Sequence, residues 1–491
     1  MTQLCVSLTE PTSAAIIDRM ADLADLADLF EVRGDLVMDL DLLAILRSRT
    51  KPILFTCRSA SEGGRWSDTE TRRRMTLLEA VKRGFDYVDV EYRSDFMDVA
   101  VEKSGHGLVV SYHDLEGTPQ DLEELYAAMV RRGADVVKLA VTPAGLADVA
   151  RLLALAAKVA NGGKRPLIAL ALGPQGILTR VLAGRFAAPF TYACAAPGAE
   201  AGSGQLSADV MARSYRVGQI TPRTRVYGVV GSDVARSLSP AIHNAAFAAR
   251  NVDAVYVPIQ AASLEDFLLA LPALELSGFS VTRPYKVEIL PRLHEVEELA
   301  ALCGSVNTVA VHDGMLRGSS SDGTGVLAPL RKRLDVKGRR VVVIGAGGAA
   351  RSAALALKRR GANVSVLGRD PAKAATVGAA VGISHGPLAS LAGVAWDVLV
   401  NATPVGSADA PAETPVPASL LRPGGVVFDM VYDPPETRLM REARSVGCTV
   451  IGGIEMLVAQ AVPQFEAWTG VEAPAEAMEQ AALAASRESR P

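Results

Sequence analysis

Lys138 stands in the run Val136-Val-Lys-Leu-Ala-Val141, with only apolar neighbours along the chain. Desolvation disfavours the charged form of a lysine, so this residue is expected to offer a neutral, nucleophilic amine suited to a Schiff base with a carbonyl substrate. The plain alternative is a side chain whose head reaches water past small neighbours. Its companions favour chemistry. Glu62 and His113 follow two of the preceding apolar runs, and Arg33 and Arg58 lie near the ends of two. A guanidinium fork pairs bidentately with a carboxylate, so the expected substrate is a carbonyl compound that carries one.

A second such stretch is Arg340-Val-Val-Val-Ile-Gly345-Ala346-Gly347-Gly348-Ala349-Ala-Arg351. A β-branched run that turns through glycines into an Ala-rich helix has the form of a dinucleotide-binding turn. Glycine lets the backbone approach a pyrophosphate, and free N–H groups at the helix start attract its charge. A tight strand-to-helix turn without a ligand is the weaker reading.

Strands must present these groups. Apolar runs fall at Leu4–Leu8, Leu29–Arg33, Ile53–Cys57, Tyr87–Glu91, Leu108–Tyr112, Val136–Val141, Leu167–Leu172 and Phe190–Cys194. Helical patterns lie between them. One is Thr69–Arg83 with Ser67 and Asp68 as candidate caps, and another is Pro119–Arg132 with Thr118 at the cap. Leu23, Leu26 and Leu29 read as one buried helix face leading into a strand. Eight strand and helix pairs in residues 1–214 predict a (β/α)8 TIM barrel, whose chemistry sits at the carboxyl ends of its strands.

At 491 residues the chain is expected to hold about three domains. Lys+Arg 51 against Asp+Glu 54 leaves a formal net charge of −3, which points to neither nucleic acid nor an anionic membrane and leaves small molecules as partners. The five cysteines (Cys5, Cys57, Cys194, Cys303, Cys448) are scattered without a Cys-x-x-Cys pair. They predict no metal and a reducing compartment, the cytoplasm. Neither a membrane span nor a targeting segment is expected.

Phe55-Thr-Cys-Arg58-Ser-Ala-Ser-Glu62-Gly63-Gly64, Ser111-Tyr-His113-Asp114 and Lys138-Leu-Ala-Val together resemble type I 3-dehydroquinate dehydratase, over residues 3–214. The resemblance implies that Lys138 forms an imine with the C3 carbonyl of dehydroquinate. It also implies that His113 takes a C2 proton and later returns one, and that Glu62 orients His113. A protonated imine is an electron sink that acidifies the adjacent C–H, so one histidine can serve both steps. Glu31, Arg33, Arg58, Arg180 and Gln205 match positions that hold the substrate's hydroxyls and carboxylate. The family reads Ser-Ala-Pro-Gly-Gln where this chain has Ala201-Gly-Ser-Gly-Gln205, so a serine contact is lost or moved to Ser203.

Tyr215 to Arg225 breaks the alternation and reads as a linker. Beyond it, Ser237-Leu-Ser239-Pro240-Ala-Ile-His243-Asn244 reads as a helix start with Ser239 as cap. This motif is followed in order by Val281-Thr282-Arg-Pro-Tyr-Lys286, Val306-Asn307-Thr308, Asp322-Gly323, Asn401-Ala-Thr403, Asp429-x-x-Tyr432-x-Pro434 and Gly453-x-x-Met456-Leu-Val-x-Gln460. The set resembles shikimate dehydrogenase from about residue 226 to 480.

By itself Lys286 would read as a solvated surface lysine. The resemblance implies instead an acid/base pair of Lys286 and Asp322, since hydride transfer to a ketone requires a proton at the developing alkoxide. Ser237, Ser239, Thr282, Asn307, Tyr432 and Gln460 would hold the substrate. Gly345, Ala346, Gly347, Gly348, Ala349, Arg369, Asn401, Thr403, Met430 and Gly453 would surround NADP, Arg369 on its 2′-phosphate despite the adjacent Asp370. Ser280, Arg283 and Ser320-Ser321 depart from the family pattern.

The implied organisation is a barrel over 1–214, a linker over 215–225, a substrate-binding domain over 226–325 completed by 454–485, and a Rossmann-type NADP domain over 326–453. Beyond Gly470 one last helix and a frayed end are expected. The implied function is a bifunctional enzyme that dehydrates 3-dehydroquinate and then reduces the product to shikimate with NADPH. Two rivals are a catabolic NAD-dependent quinate or shikimate dehydrogenase and a non-catalytic scaffold with drifted sites.

Overall fold

The computed structural model describes residues 1–96, 98–99 and 107–488. The chain forms two compact units, Met1–Val226 with Asp253–Leu276, and Tyr227–Val252 with Ser277–Pro491.

In the first unit eight strands, Gln3–Leu8 (β1), Leu29–Arg33 (β2), Ile53–Thr56 (β3), Tyr87–Glu91 (β4), Gly107–Asp114 (β5), Val136–Val141 (β6), Leu167–Ala171 (β7) and Phe190–Cys194 (β8), hydrogen-bond in the order β7-β6-β5-β4-β3-β2-β1-β8. Neighbours run parallel throughout. This is the expected (β/α)8 arrangement. Cys5, Leu29, Leu54, Val109 and Val136 share one buried apolar cluster with Phe190 and Tyr192. Two residues further along the same strands come Ser7, Glu31, Thr56, Ser111 and Lys138. The two-residue period of a strand thus sends a polar layer into the barrel above an apolar floor.

Local details differ from the expectations. The helix Glu70–Arg83 is capped by the Thr69 hydroxyl rather than Ser67 or Asp68, and Leu122–Arg131 is capped by Asp121 rather than Thr118. Each cap is the acceptor immediately before the first helical residue, within reach of the unsatisfied N–H groups. The helix Ser13–Asp22 stops before the leucine repeat, where Leu26 and Ala27 N–H both donate to the Leu23 carbonyl in a turn that returns the chain to β2.

Strands Arg225–Gly231 (β9), Ala254–Gln260 (β10), Leu276–Val281 (β11), Glu295–Val296 (β12), Thr308–His312 (β13) and Met315–Ser319 (β14) form a sheet in the order β10-β9-β11-β13-β14-β12, with antiparallel β11/β13 and β13/β14 pairs. A third, fully parallel sheet comprises Arg340–Ile344 (β15), Asn363–Gly368 (β16), Ser384–Pro387 (β17), Val398–Asn401 (β18), Val426–Asp429 (β19) and Thr449–Ile451 (β20). Its order is β17-β16-β15-β18-β19-β20, so successive crossovers leave β15 in opposite directions and the chain switches sides between β15 and β18. Dinucleotides bind at such a crevice in Rossmann folds. The last helix is Ala475–Glu488, and the expected frayed end at 489–491 lies outside the described residues. Among the described residues no helix is long and apolar enough to cross a membrane.

Candidate active sites

Lys138 is 5% exposed, but its surroundings are ionic rather than apolar. Its Nζ lies 3.4 Å from Asp89, 3.6 Å from Glu31 and 4.2 Å from the centre of the Tyr192 ring. The apolar neighbours in sequence, Val137 and Leu139, leave the strand on its other face. Two carboxylates and an aromatic face thus surround the amine in place of the apolar sleeve that its sequence neighbours suggested. Glu31 accepts hydrogen bonds from Ser7 Oγ at 2.6 Å and Thr56 Oγ1 at 2.9 Å.

At the same barrel end Glu62 accepts from the backbone N–H of His113 and pairs with its Nδ1, both at 3.0 Å. Burial pushes the Glu62 carboxyl up to about 7 against the pull of Arg58. Burial, followed by the Arg58 charge, holds the His113 imidazole well below its usual range and so neutral. A neutral imidazole fixed at Nδ1 leaves Nε2 for proton transfer.

The arginines separate into two kinds. Arg33 forms a fork with Asp35, and Arg58 bonds Asp89 at 2.9 Å and Ser111 at 2.7 Å. Among the described residues Arg180, 2% exposed, donates only to the carbonyls of Ala171, Gly176 and Ser203, and its burial pushes it down to about 10. It is the guanidinium of this site that still suits an anion. Gln205 donates to Ser7 Oγ at 3.3 Å and accepts from Ala201 N–H at 2.8 Å, so the segment that lacks the family serine is tied back to the strand ends.

Asp89 and Glu91 were missed from the sequence. Asp89 holds Arg58, Ser111 and Lys138 together, and Glu91 bonds Arg73 and the Ser59 N–H. The signal was there, since two acids at alternate positions of an apolar strand must share its inward face.

In the second unit Lys286 Nζ donates to Asp322 Oδ2 at 2.7 Å, while Asn307 Nδ2 takes Asp322 Oδ1 at 2.7 Å. Asp322 is the first residue of the helix Asp322–Arg331, where a negative charge is favoured by the dipole. Gly325 of this helix sits against Gln460 Cβ, 3.2 Å from where its own Cβ would be, so Gln460 packs on the helix about one turn from Asp322. The Asn307 amide is fully committed: Oδ1 accepts from Ser321 N–H and Thr308 Oγ1, and Nδ2 donates to Ser321 Oγ as well as Asp322. It orients Asp322 in this arrangement rather than offering a free group to substrate. Ser239 is the first residue of the helix Ser239–Ala249 rather than its cap, a position that falls to Leu238, and its N–H donates to Ser237 Oγ at 3.3 Å. Thr282 directly follows β11 and is half-buried, and burial raises the Tyr432 hydroxyl above its usual range.

The glycine turn fits a dinucleotide. Gly345 has φ +120, and a Cβ there would lie 2.9 Å from the Ala402 carbonyl. The helix Gly348–Arg359 has Gly347 as its cap and no side chain on its first N–H groups, and space around Gly347 is open. Ala346, Gly348 and Ala349 are half-buried along this edge. Arg369 is exposed at the end of β16, and Asp370 caps the helix Pro371–Val381 by accepting from Ala372 and Lys373 N–H. Asn401 is fully buried, bonding Asp429 on one side and Thr403 on the other, so it shapes this face through Thr403 rather than by touch. A side chain at Gly453 would collide with the carbonyls of Met430 and Val431, so glycine lets the helix Gly453–Thr469 start against the end of β19.

Sequence profiles agree with this division of chemistry. Residues 4–222 match Type I 3-dehydroquinase, 229–309 the shikimate dehydrogenase substrate binding domain, and 453–483 the shikimate 5′-dehydrogenase C-terminal domain. A bifunctional 3-dehydroquinate dehydratase/shikimate dehydrogenase of Arabidopsis thaliana, a chloroplastic protein, is 35% identical over 92% of this chain and 79% of its own length. This chain belongs to that bifunctional family. Its dehydrogenase half is also 41% identical to the NADP(+) shikimate dehydrogenase of Pyrococcus abyssi, over 53% of this chain and 97% of that protein. A crystal structure of shikimate 5-dehydrogenase from Thermus thermophilus with NADP(H) and shikimate matches with a TM-score of 0.50 at 35% identity, covering 53% of this chain and 99% of that one.

Proposed function

We propose that Lys138, His113 and Glu62 dehydrate 3-dehydroquinate in the barrel, and that Lys286 and Asp322 manage the proton when 3-dehydroshikimate is reduced to shikimate with NADPH. In the first reaction Lys138 Nζ attacks the C3 carbonyl and water leaves to form an imine. His113 takes the C2 proton, the electron pair moves into the imine, and the C1 hydroxyl departs as water with a proton from His113. Hydrolysis of the imine frees Lys138. Glu31, Arg33, Arg58 and Gln205 line the site, and Arg180 receives the substrate carboxylate. In the second reaction NADPH supplies the hydride. Lys286 gives its proton to the forming alkoxide while Asp322 holds the ammonium in place, and Ser237, Ser239, Thr282, Tyr432 and Gln460 bind the acid. Gly345 to Ala349, Thr403, Met430 and Gly453 shape the cofactor cleft, with Arg369 toward the 2′-phosphate.

The observation that carries the dehydratase reading is a buried lysine on the same barrel end as a Glu–His pair. Borohydride added with dehydroquinate should leave a stable adduct on Lys138, read by mass. An unmodified Lys138 would remove the imine. Faster turnover of shikimate with NADP than of quinate with NAD is expected in the other half. We place the functional boundaries at 215–225 and 325/326, with 454–485 returning to the substrate-binding domain. The cytoplasm is the proposed compartment, since all five cysteines are free and buried.

A further inference from the structure

Behind the Lys286–Asp322 pair lies a buried chain of polar groups that no substrate or cofactor role accounts for. Gln464 is 4% exposed on the helix Gly453–Thr469, one turn beyond Gln460. Its Nε2 donates to Thr308 Oγ1 at 2.9 Å and to the Asn307 carbonyl at 3.2 Å, and its Oε1 accepts from Ser280 Oγ at 3.2 Å. Thr308 Oγ1 donates in turn to Asn307 Oδ1 at 2.7 Å. A hydroxyl can donate or accept, and this one is made a donor toward Asn307 because Gln464 already donates to it. Asn307 then presents Nδ2 to Asp322 Oδ1, leaving Oδ2 for Lys286. Ser280 and Ser321, two of the departures from the family pattern, are both members of this chain. The short Ser280 side chain meets the longer amide of Gln464.

We infer that Gln464 is a positioning residue for the dehydrogenase, acting through Thr308 and Asn307 to hold Asp322 against Lys286. The inference rests on the acid/base role proposed above for that pair. In the full-length chain, Gln464→Met and Thr308→Val should each lower shikimate dehydrogenase kcat about tenfold, with KM for shikimate and NADP within about twofold. Thr308→Ser, which keeps the hydroxyl, should retain wild-type kcat. Dehydratase activity of the same chain should be unchanged and reports that the variants fold. If Gln464→Met does not fold, the Thr308→Val and Thr308→Ser pair decides. Wild-type kcat in Gln464→Met, or a raised KM at constant kcat, would overturn the inference. Asp322→Asn separates the two levels. If it keeps full kcat, the acid/base reading itself falls. If it collapses while Gln464→Met and Thr308→Val do not, only the positioning role falls.

Discussion

Glu62 and His113 form a pair whose proton occupancy follows from burial. The carboxyl is pushed up to about 7 and the imidazole well below its usual range, so with rising pH Glu62 ionises in a site where His113 is already neutral. An ionised Glu62 is the form that accepts from His113 Nδ1, so dehydratase kcat/KM should rise through an acid limb near 7. Glu62→Gln should abolish that limb and lower kcat by about 10²-fold. A pH profile still rising near 7 in the variant would assign the limb to another group. The stability effect has the opposite sign. A folded-state pKa above the unfolded one means that the contribution is present when Glu62 is protonated and is lost as pH rises through about 7. The proposed mechanism thus uses the less comfortable form of this side chain.

Two short elements around the glycine turn decide what the dehydrogenase half can bind. Gly345 holds a conformation that a side chain rarely adopts and faces the Ala402 carbonyl, so Gly345→Ala should strain the turn by about 1–3 kcal/mol. The check is NADP titration: affinity should fall about 5- to 150-fold if that strain is felt in the bound state, while dehydratase turnover in the same chain stays intact. Asp370 has a second use. Its carboxylate caps the helix Pro371–Val381, yet its charge sits next to Arg369, where a 2′-phosphate is expected. Asp370→Asn keeps a capping oxygen and removes the charge, so the kcat/KM ratio of NADP over NAD should rise with little loss of thermal stability. Asp370→Ala should cost about 0.5–2 kcal/mol through the lost cap, visible as a lower melting temperature.

At the scale of the whole molecule each compact unit contains one of the two proposed sets of catalytic side chains. Lys138, His113 and Glu62 lie in the first, and Lys286 and Asp322 in the second. Chemical arrest of one site should therefore spare the other. After borohydride trapping at Lys138, shikimate dehydrogenase activity of the intact chain should remain within about twofold of the untreated protein. A parallel loss of both activities would show that the sites are energetically coupled. Single-site variants can likewise be judged against the untouched activity of the same polypeptide, which separates loss of chemistry from loss of fold.

The order and type of the barrel strands were legible in the sequence, because apolar runs repeat between helical patterns and each of the eight is observed. So was the glycine turn, whose residue types are dictated by local backbone geometry. The family motifs also led to Lys138, Lys286 and Asp322. Caps were misjudged by a few residues at Thr69 and Asp121, and Ser239 is the first helical residue rather than a cap, since which of several neighbouring acceptors reaches the first helical N–H depends on where the helix actually starts. The surroundings of Lys138 were decided only in three dimensions: its apolar sequence neighbours face outward, and Asp89 and Glu31 arrive from other strands. The same holds for Gln464, which meets Thr308 across 156 residues of chain. Hydrophobic period and backbone conformation are local properties that a sequence carries along its length. The partner of a buried charge or amide is set by which strands and helices close around it, and that is a property of the tertiary structure alone.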